Sequence, residues 1–291
     1  MQTHRNDLLR ILWSRRYRCA VDLGRSLQPT AANPRCPGAT CISPPPALQY
    51  AAAGAAVPPR GTRRGGRGSH RESGKPPHAA ASERVTLRGL NTSAPIDFYF
   101  DLSSPYSYVA SEWIEALAAR HGRTVRWQAS LLGATFQAAA LKSPVSHPLK
   151  REYSLRDFER SARHAGVPLA IPAKFSIPTQ NAARAFWWLD AEDGARAADR
   201  ARCCLRALFA VGCDLSDATA LDALAVRFGL DAGQAAAVAA DARWKLRLKA
   251  ANDAAIAAGV FGAPFFMVDG EPFWGNDRRP QIERWLAQGP F

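Results

Sequence analysis

The 291-residue sequence predicts an α/β fold in which a long helical segment separates two segments that contain strands. A strand, a helix and a second strand are predicted around residue 100, and a hairpin followed by a helix is predicted near residue 270. Between them, residues 131–258 are rich in alanine and place apolar residues at helical spacing. We therefore expect one small sheet built from the two outer segments, with the helices inserted between them.

The first predicted strand, residues 96–101, alternates apolar and polar residues as a half-buried strand does. Ser104 then offers an N-cap hydroxyl, and Pro105 suits the first helical position, where a missing N–H costs nothing. Residues 125–128 form the second predicted strand. One continuous helix is predicted between the strands from the four-residue recurrence of Val109, Trp113, Leu117 and His121.

The middle of the chain predicts six or seven helices. Residues 150–164 form one of them, and Thr179 is predicted to cap the next, which carries Phe186 and Trp187. We expect the aromatic side chains of Phe186, Trp187, Trp188 and Trp244 to lie in the core rather than to form a substrate platform. The remaining predicted helices are residues 199–209, 217–228, 234–240 and a long helix that ends near residue 258.

The carboxyl end predicts a hairpin and a closing helix. Asp269-Gly270 stands between two apolar runs and is a strong hairpin signal. Pro264 begins the first of these strands, a position that tolerates proline and where a cis peptide is a deliberate feature. Asn276 or Asp277 is predicted to cap a helix whose apolar positions include Ile282, Trp285 and Leu286.

Two serines, Ser104 and Ser107, stand at the strand-to-helix turn with two residues between them. A thioredoxin-like redox enzyme has cysteines at these places, and serine cannot exchange electrons. A Ser-Pro pair that opens a helix is also compatible with a simple cap. The arrangement predicts a protein that keeps a redox scaffold, lacks dithiol activity and handles the thiol of another molecule.

Four short motifs carry a resemblance to a known family. They are Asp97-Phe-Tyr-Phe-Asp, Ser104-Pro-Tyr-Ser-Tyr, Gly259-Val-Phe-Gly-Ala-Pro and Phe273-Trp-Gly-Asn-Asp-Arg. In this order and at these separations they resemble the DsbA-like superfamily, and within it the 2-hydroxychromene-2-carboxylate isomerases and kappa-class glutathione transferases. The resemblance covers residues 94–288.

The resemblance implies a thioredoxin-like fold formed by residues 94–130 and 250–291, with an inserted helical domain at 131–249. It also implies glutathione as the cofactor and a homodimer. Ser104 would then be the catalytic residue, as a hydrogen-bond donor to the glutathione thiolate. The cofactor would pair with the backbone of Ala263, before Pro264, while Asn276 and Asp277 would hold its γ-glutamyl end. A helix cap explains these last two residues equally well.

The candidates for the substrate cleft are Tyr106, Lys150 and Tyr153. In the family a Pro-x-Lys-x-x-Tyr segment borders the site, and Pro148-Leu-Lys-Arg-Glu-Tyr matches it. Many members carry Gly-Asn shortly before, whereas this chain has Ala140-Leu-Lys-Ser-Pro. One glutathione contact of the family is therefore not expected here.

Three functions remain open from the sequence. A glutathione thiolate that adds to a small aromatic substrate and leaves again gives a cis-trans isomerase. A thiolate that stays attached gives a kappa-class-like transferase. The third is a binding or chaperone module on the same fold. The opening and closing motifs resemble the isomerase branch more closely.

The net charge of +13 belongs almost wholly to residues 1–90, which hold 15 Lys or Arg against 4 Asp or Glu. This segment is rich in Pro, Gly, Ala and Arg without apolar periodicity, so residues 1–93 are predicted to be a disordered arm. An Arg-rich transit-like arm and a start codon placed too far upstream are both compatible with it. The remainder, at +2, does not favour a nucleic-acid partner, and no segment is apolar enough to span a membrane.

The six cysteines show no metal-ligand spacing, so no metal site is predicted. Without a secretory signal, the cytoplasm is the expected compartment.

Overall fold

The computed structural model of the protein describes residues 94–172, 174–227 and 229–291. The predicted arm, residues 1–93, lies outside them.

Four strands form one mixed sheet in the order β2-β1-β3-β4 within the described ranges. They are β1 (Ile96–Phe100), β2 (Val125–Ala129), β3 (Phe265–Val268) and β4 (Glu271–Trp274). β1 is parallel to β2 and antiparallel to β3, and β4 is antiparallel to β3. The two outer segments of the sequence therefore build a single sheet, as predicted.

The alternation in β1 places its apolar residues in the core. Ile96, Phe98 and Phe100 have no exposed surface. The Phe98 ring lies 4.9 Å from that of Trp127 on β2 and 5.3 Å from that of Phe266 on β3. Aromatic burial across three strands is the kind of contact that stabilises a sheet and fixes its register.

The predicted hairpin turn is confirmed at Asp269 and Gly270. Their φ angles of 55° and 88° are both left-handed, as a two-residue turn between twisted strands requires. The Asp269 carboxylate also pairs with Arg123 at 2.7 Å, and both side chains are almost buried. The hairpin is thereby attached to the loop that precedes β2.

The prediction of a single helix after β1 is wrong, because two short helices occupy this segment. They are α1 (Pro105–Ser111) and α2 (Ile114–Arg120). Between them, the amides of Glu112 and Trp113 donate to carbonyls three residues earlier in the chain, so the α-helical hydrogen-bond pattern ends at this point. The Glu112 side chain forms a buried ion pair with Arg206. The four-residue spacing nevertheless identified the buried positions correctly as far as Leu117.

Seven α-helices lie between β2 and β3 in the described part of the chain, followed by α10 (Arg279–Gln288) after β4. A π-helical turn, Ala207–Val211, continues helix α6 (Gly194–Arg206), which starts earlier than predicted because Asp193 caps it. Helix α9 (Ala242–Ala257) runs across the predicted domain boundary at residue 249. The seven are α3 (Leu132–Ala138), α4 (Pro148–Ala165), α5 (Gln180–Asp190), α6 (Gly194–Arg206), α7 (Ala218–Arg227), α8 (Gln234–Ala240) and α9 (Ala242–Ala257).

Helix α5 joins the helices to the sheet through its aromatic residues. Phe186 packs edge-on against Phe100 with ring centroids 5.2 Å apart. The buried Trp187 donates its indole N–H to the carbonyl of Ala129 at 3.1 Å. The prediction that the large aromatic residues belong to the core is confirmed for Phe186 and Trp187, whereas Trp188 and Trp244 are partly buried and pack against that core. In the described ranges, no helix combines the length and apolar character that crossing a bilayer would take.

Candidate active-site cleft

A cleft of about 860 Å³ opens where the β1–α1 turn, the start of β3 and the segment after β4 meet helices α3 and α4. Seven of the eight residues selected from the sequence line it: Ser104, Tyr106, Tyr153, Ala263, Pro264, Asn276 and Asp277. The eighth, Lys150, is exposed in the first turn of α4 and is not part of the lining, which begins on that helix one turn later. The fold thus brings together residues more than 150 positions apart.

Ser104 is the N-cap of α1 and is 3% exposed. Its Oγ accepts a hydrogen bond from the backbone N–H of Ser107 at 3.1 Å and donates one to the carbonyl of Ala263 at 3.1 Å. Both partners are backbone groups, so neither can act as a general base for the hydroxyl. The geometry suits a hydrogen-bond donor better than a nucleophile.

The second serine of the motif has a different environment. Ser107 is completely buried, and its Oγ accepts from the backbone N–H of Asp101 at 3.4 Å. It is not among the residues that line the cleft. The two serines therefore occupy separate surroundings, and Ser104 alone of the pair can contact a ligand there.

Ala263 and Pro264, which are joined by a cis peptide, line the cleft beside the N-terminus of α1. The carbonyl of Pro264 accepts from the backbone N–H of Gly275 at 3.0 Å, which holds the start of β3 beside the segment after β4. The carbonyl of Ala263 is bonded to Ser104, as described above. Because Ala263 lines the cleft, its backbone is within reach of a peptide-like ligand there.

Asn276 and Asp277 do not cap α10, so the predicted cap is wrong. They belong to a 3₁₀ turn, Asn276–Arg278, and neither side chain bonds to a helix amide. Asn276 Oδ1 instead accepts from the indole N–H of Trp113 at 2.8 Å. Because an indole N–H only donates, this bond fixes the amide so that its NH₂ group remains for another partner. Asp277 is largely exposed and pairs with Arg278 at 2.9 Å.

Tyr106 is held by a residue that was not among those selected from the sequence. Its hydroxyl donates to Asp157 Oδ2 on α4, and Arg160 bonds to the other carboxylate oxygen. Burial and the neighbouring Asp157 raise the pKa of Tyr106, so the phenol stays protonated. Burial acts to raise the pKa of Asp157, but the bonds from Tyr106 and Arg160 prevail and lower it.

Asp101 is a cleft residue that the sequence reasoning missed. It is 3% exposed and accepts from four donors: the N–H and Oγ of Ser103, the N–H of Leu132, and Thr179 Oγ1. Burial raises its pKa against these hydrogen bonds. Thr179 precedes α5 as predicted, but its hydroxyl donates to Asp101 and does not cap that helix. An acidic residue directly after a strand was the only signal available.

Tyr153 lies at the rim of the cleft, where 65% of it is exposed. The Arg160 guanidinium lies 5.6 Å from its ring centroid. Among the described residues, no group of three or more His, Cys, Asp or Glu side chains is arranged to hold a metal ion.

A parallel β1–β2 pair, an antiparallel β3–β4 hairpin and a cis-proline beside the capped turn of α1 define a protein of the thioredoxin fold. A model of the DSBA-like thioredoxin domain matches residues 95–287. The chain belongs to the DSBA-like thioredoxin domain family.

Curated relatives narrow the comparison within this family. The chain is 32% identical over 197 residues to a 2-hydroxychromene-2-carboxylate isomerase of Sphingobium xenophagum, an alignment that covers 66% of this chain and 97% of that one. It is 27% identical over 215 residues to glutathione S-transferase kappa 2 of Caenorhabditis elegans, covering 67% and 92%.

A solved 2-hydroxychromene-2-carboxylate isomerase structure superposes with a TM-score of 0.60 at 28% identity, covering 66% of this chain and 94% of that one. The similarity thus extends over nearly the whole length of these proteins.

Proposed function

We propose that this protein is a glutathione-dependent cis-trans isomerase of the 2-hydroxychromene-2-carboxylate isomerase type, in which Ser104 stabilises the glutathione thiolate. One observation carries the proposal: Ser104 is buried, has no side-chain base among its hydrogen-bond partners in the described residues, and lines the same cleft as Ala263, Asn276 and Asp277. The isomerase relatives support the reaction type.

Glutathione would lie along the wall formed by Ala263 and Pro264. Its cysteinyl backbone would pair with the N–H and C=O of Ala263 as an added antiparallel strand. The NH₂ group of Asn276, which the Trp113 bond leaves available, suits the γ-glutamyl carboxylate. The exposed Asp277 carboxylate suits the ammonium group. This placement brings the thiol to the Ser104 side of the cleft.

The thiol would ionise because hydrogen bonds favour its charged form. The Ser104 hydroxyl is one donor, and the amide of Tyr106, in the first turn of α1, is a second candidate since such amides have no intrahelical acceptor. A hydrogen bond to a charged group contributes about 1.5–3 kcal/mol, and one pKa unit corresponds to about 1.4 kcal/mol. A thiol with a pKa of about 8.5 would then titrate near neutral pH.

The thiolate can catalyse isomerisation without being consumed. When bound, glutathione would supply a nucleophilic thiolate that adds reversibly to a conjugated carbon of a benzylidenepyruvate, or of a hydroxychromene in its ring-opened form. The ketone oxygen of the substrate would hold the displaced electron pair while the former double bond rotates, and the thiolate would then leave again. The apolar part of the cleft wall, which includes Phe136, Phe158 and Phe175, suits an aromatic substrate.

The kappa-class relative favours a second candidate, a glutathione transferase. The binding of glutathione would be the same, but the C–S bond would persist in the product. Stoichiometric consumption of glutathione therefore distinguishes the two reactions.

The proposal is tested by titrating glutathione calorimetrically and then following isomerisation spectrophotometrically with dialysed protein, with and without added glutathione. Turnover that requires glutathione and leaves its concentration unchanged is expected. Consumption of glutathione would identify the transferase instead, and binding without turnover would favour a binding module.

A further inference from the structure

The Ser104 hydroxyl carries one proton, and that proton is already engaged. Ser107 N–H can only donate, so Ser104 Oγ must accept from it, and the remaining hydrogen is directed to the Ala263 carbonyl. The hydroxyl therefore cannot donate to a thiolate while it keeps this bond. If the hydroxyl turns its hydrogen toward a ligand, the Ala263 carbonyl, on a residue that is 8% exposed, needs another donor.

A buried carbonyl without a partner is unfavourable by about as much as one hydrogen bond contributes. A thiolate that accepts the Ser104 hydrogen bond but supplies no donor to the Ala263 carbonyl is therefore stabilised little. A thiol whose own chain places an N–H on that carbonyl gains the full stabilisation. Among the proposed contacts of glutathione, the cysteinyl amide N–H is the group that pairs with Ala263.

We propose that the Ser104–Ala263 hydrogen bond makes the site selective for thiols that carry an amide N–H on the carbon next to the thiol-bearing carbon. Docking of that N–H on the Ala263 carbonyl releases the Ser104 hydroxyl, which then donates its hydrogen bond to the thiolate. This inference rests on the proposed function and extends it to the choice of thiol. In this step the thiol S–H bond breaks and its proton goes to solvent water, while the Ser104 hydroxyl keeps its own proton and rotates from one acceptor to the other.

The matched probes are glutathione and its depsipeptide analogue, in which an ester oxygen replaces the cysteinyl N–H. The thiol pKa of each ligand, bound at saturation to the wild-type protein, is measured from thiolate ultraviolet absorbance. The thiol pKa of bound glutathione is expected to lie well below that of free glutathione, whereas the thiol pKa of the bound analogue should stay close to that of the free analogue. At neutral pH the ratio of thiolate to thiol should differ about tenfold to a hundredfold, or one to two pKa units.

Two variants complete the test. Ser104→Ala should raise the pKa of bound glutathione to that of the bound analogue and leave the analogue unchanged. Ser103→Ala is the control, since its hydroxyl bonds to Asp101 rather than to Ala263, and it should retain the difference between the ligands. The comparison of ligands uses the unaltered protein, so it does not depend on how well a variant folds.

Equal ionisation of the two bound ligands in the wild-type protein would overturn this inference and leave the proposed function intact. Failure of the protein to bind glutathione would overturn both.

Discussion

The cleft residues are oriented by partners that lie far away in the sequence, and Asn276 shows this at the scale of a single residue. Its amide could point either way, but the Trp113 indole N–H requires the oxygen on its side. The Arg279 guanidinium lies over the face of the Trp113 ring, 5.6 Å from its centroid. The amide proposed to donate to the γ-glutamyl carboxylate is thereby oriented by Trp113, which lies outside the cleft lining.

Replacement of Trp113 by Phe should therefore weaken glutathione binding. Without the indole N–H the Asn276 amide is free to rotate, and the loss of one neutral hydrogen bond of about 1 kcal/mol corresponds to roughly a fivefold higher Kd. Turnover at saturating glutathione should change less, because the thiolate contacts remain. Calorimetry and steady-state kinetics measure the two quantities.

Trp127→Phe is the matched control. It removes a buried indole N–H that bonds to Glu115 and not to Asn276. If both variants weaken binding equally, loss of core packing rather than amide orientation is the cause.

At the scale of elements, the Tyr106–Asp157 hydrogen bond connects α1 to α4 across the cleft. The Tyr106 ring also packs edge-on against Phe158, with centroids 4.9 Å apart. The short helix that carries Ser104 is thus attached to a helix of the inserted segment. On its other side, the Glu112–Arg206 pair attaches the end of α1 to α6.

Tyr106→Phe should lower the free energy of unfolding at neutral pH by about 1.5 kcal/mol, the value of a hydrogen bond to a charged group. The pKa of Asp157 is lowered in the folded protein, so its stabilisation is complete above the unfolded value of about 3.9 and is lost as pH falls through the folded one. The difference between wild-type and variant should therefore shrink in acid.

Denaturant unfolding at several pH values tests this, with Asp157→Asn completing a double-mutant cycle. A difference that does not depend on pH, with no coupling between the two positions, would contradict the assignment of the bond.

Much of the element pattern was predictable because it depends on local signals. The alternation at β1 and the Asp-Gly turn each act within a few residues. The break after Ser111 was not predictable, since it accompanies contacts of Glu112 with Arg206 and of Trp113 with Asn276. The Thr179 hydroxyl likewise bonds to Asp101 instead of to its own helix.

The residues of the candidate site divide in the same way, into those that local motifs indicated and those that depend on contacts between distant elements. The motifs identified Ser104, Ala263 and Asn276 as cleft residues, but only through the resemblance to a family. Asp101 and Asp157 were not selected, because spacing along one strand or helix does not indicate which residue of another element comes close. The fold decides that each of them receives a hydroxyl donor across the cleft.

At the scale of the whole molecule, the cleft exists because the helical segment and the sheet share one core. Phe186 packs on Phe100, and Trp187 bonds to the edge strand β2. The Leu131 amide donates to Asn252 on α9 at 2.9 Å, which joins the start of the helical segment to its end. All the elements that form the site fall within the residues matched by the family model, 95–287.

Removal of residues 1–90 should therefore leave the melting temperature and the turnover unchanged. The removed sequence has neither apolar periodicity nor a constellation of catalytic residues. A longer truncation, through residue 100, deletes β1 and should abolish folding. Loss of stability or activity in the shorter truncation would show that the arm contributes to the structure.

The pH dependence of turnover in the wild-type protein and in Ser104→Ala tests the role of Ser104 most directly. The wild-type rate should rise with an apparent pKa well below about 8.5, because the hydroxyl stabilises the thiolate. In Ser104→Ala this pKa should move up toward the value of the free thiol, and turnover at neutral pH should fall about tenfold to a hundredfold with a smaller change in glutathione affinity. An unchanged pH profile together with unchanged turnover would contradict the account and leave Ser104 as a helix cap.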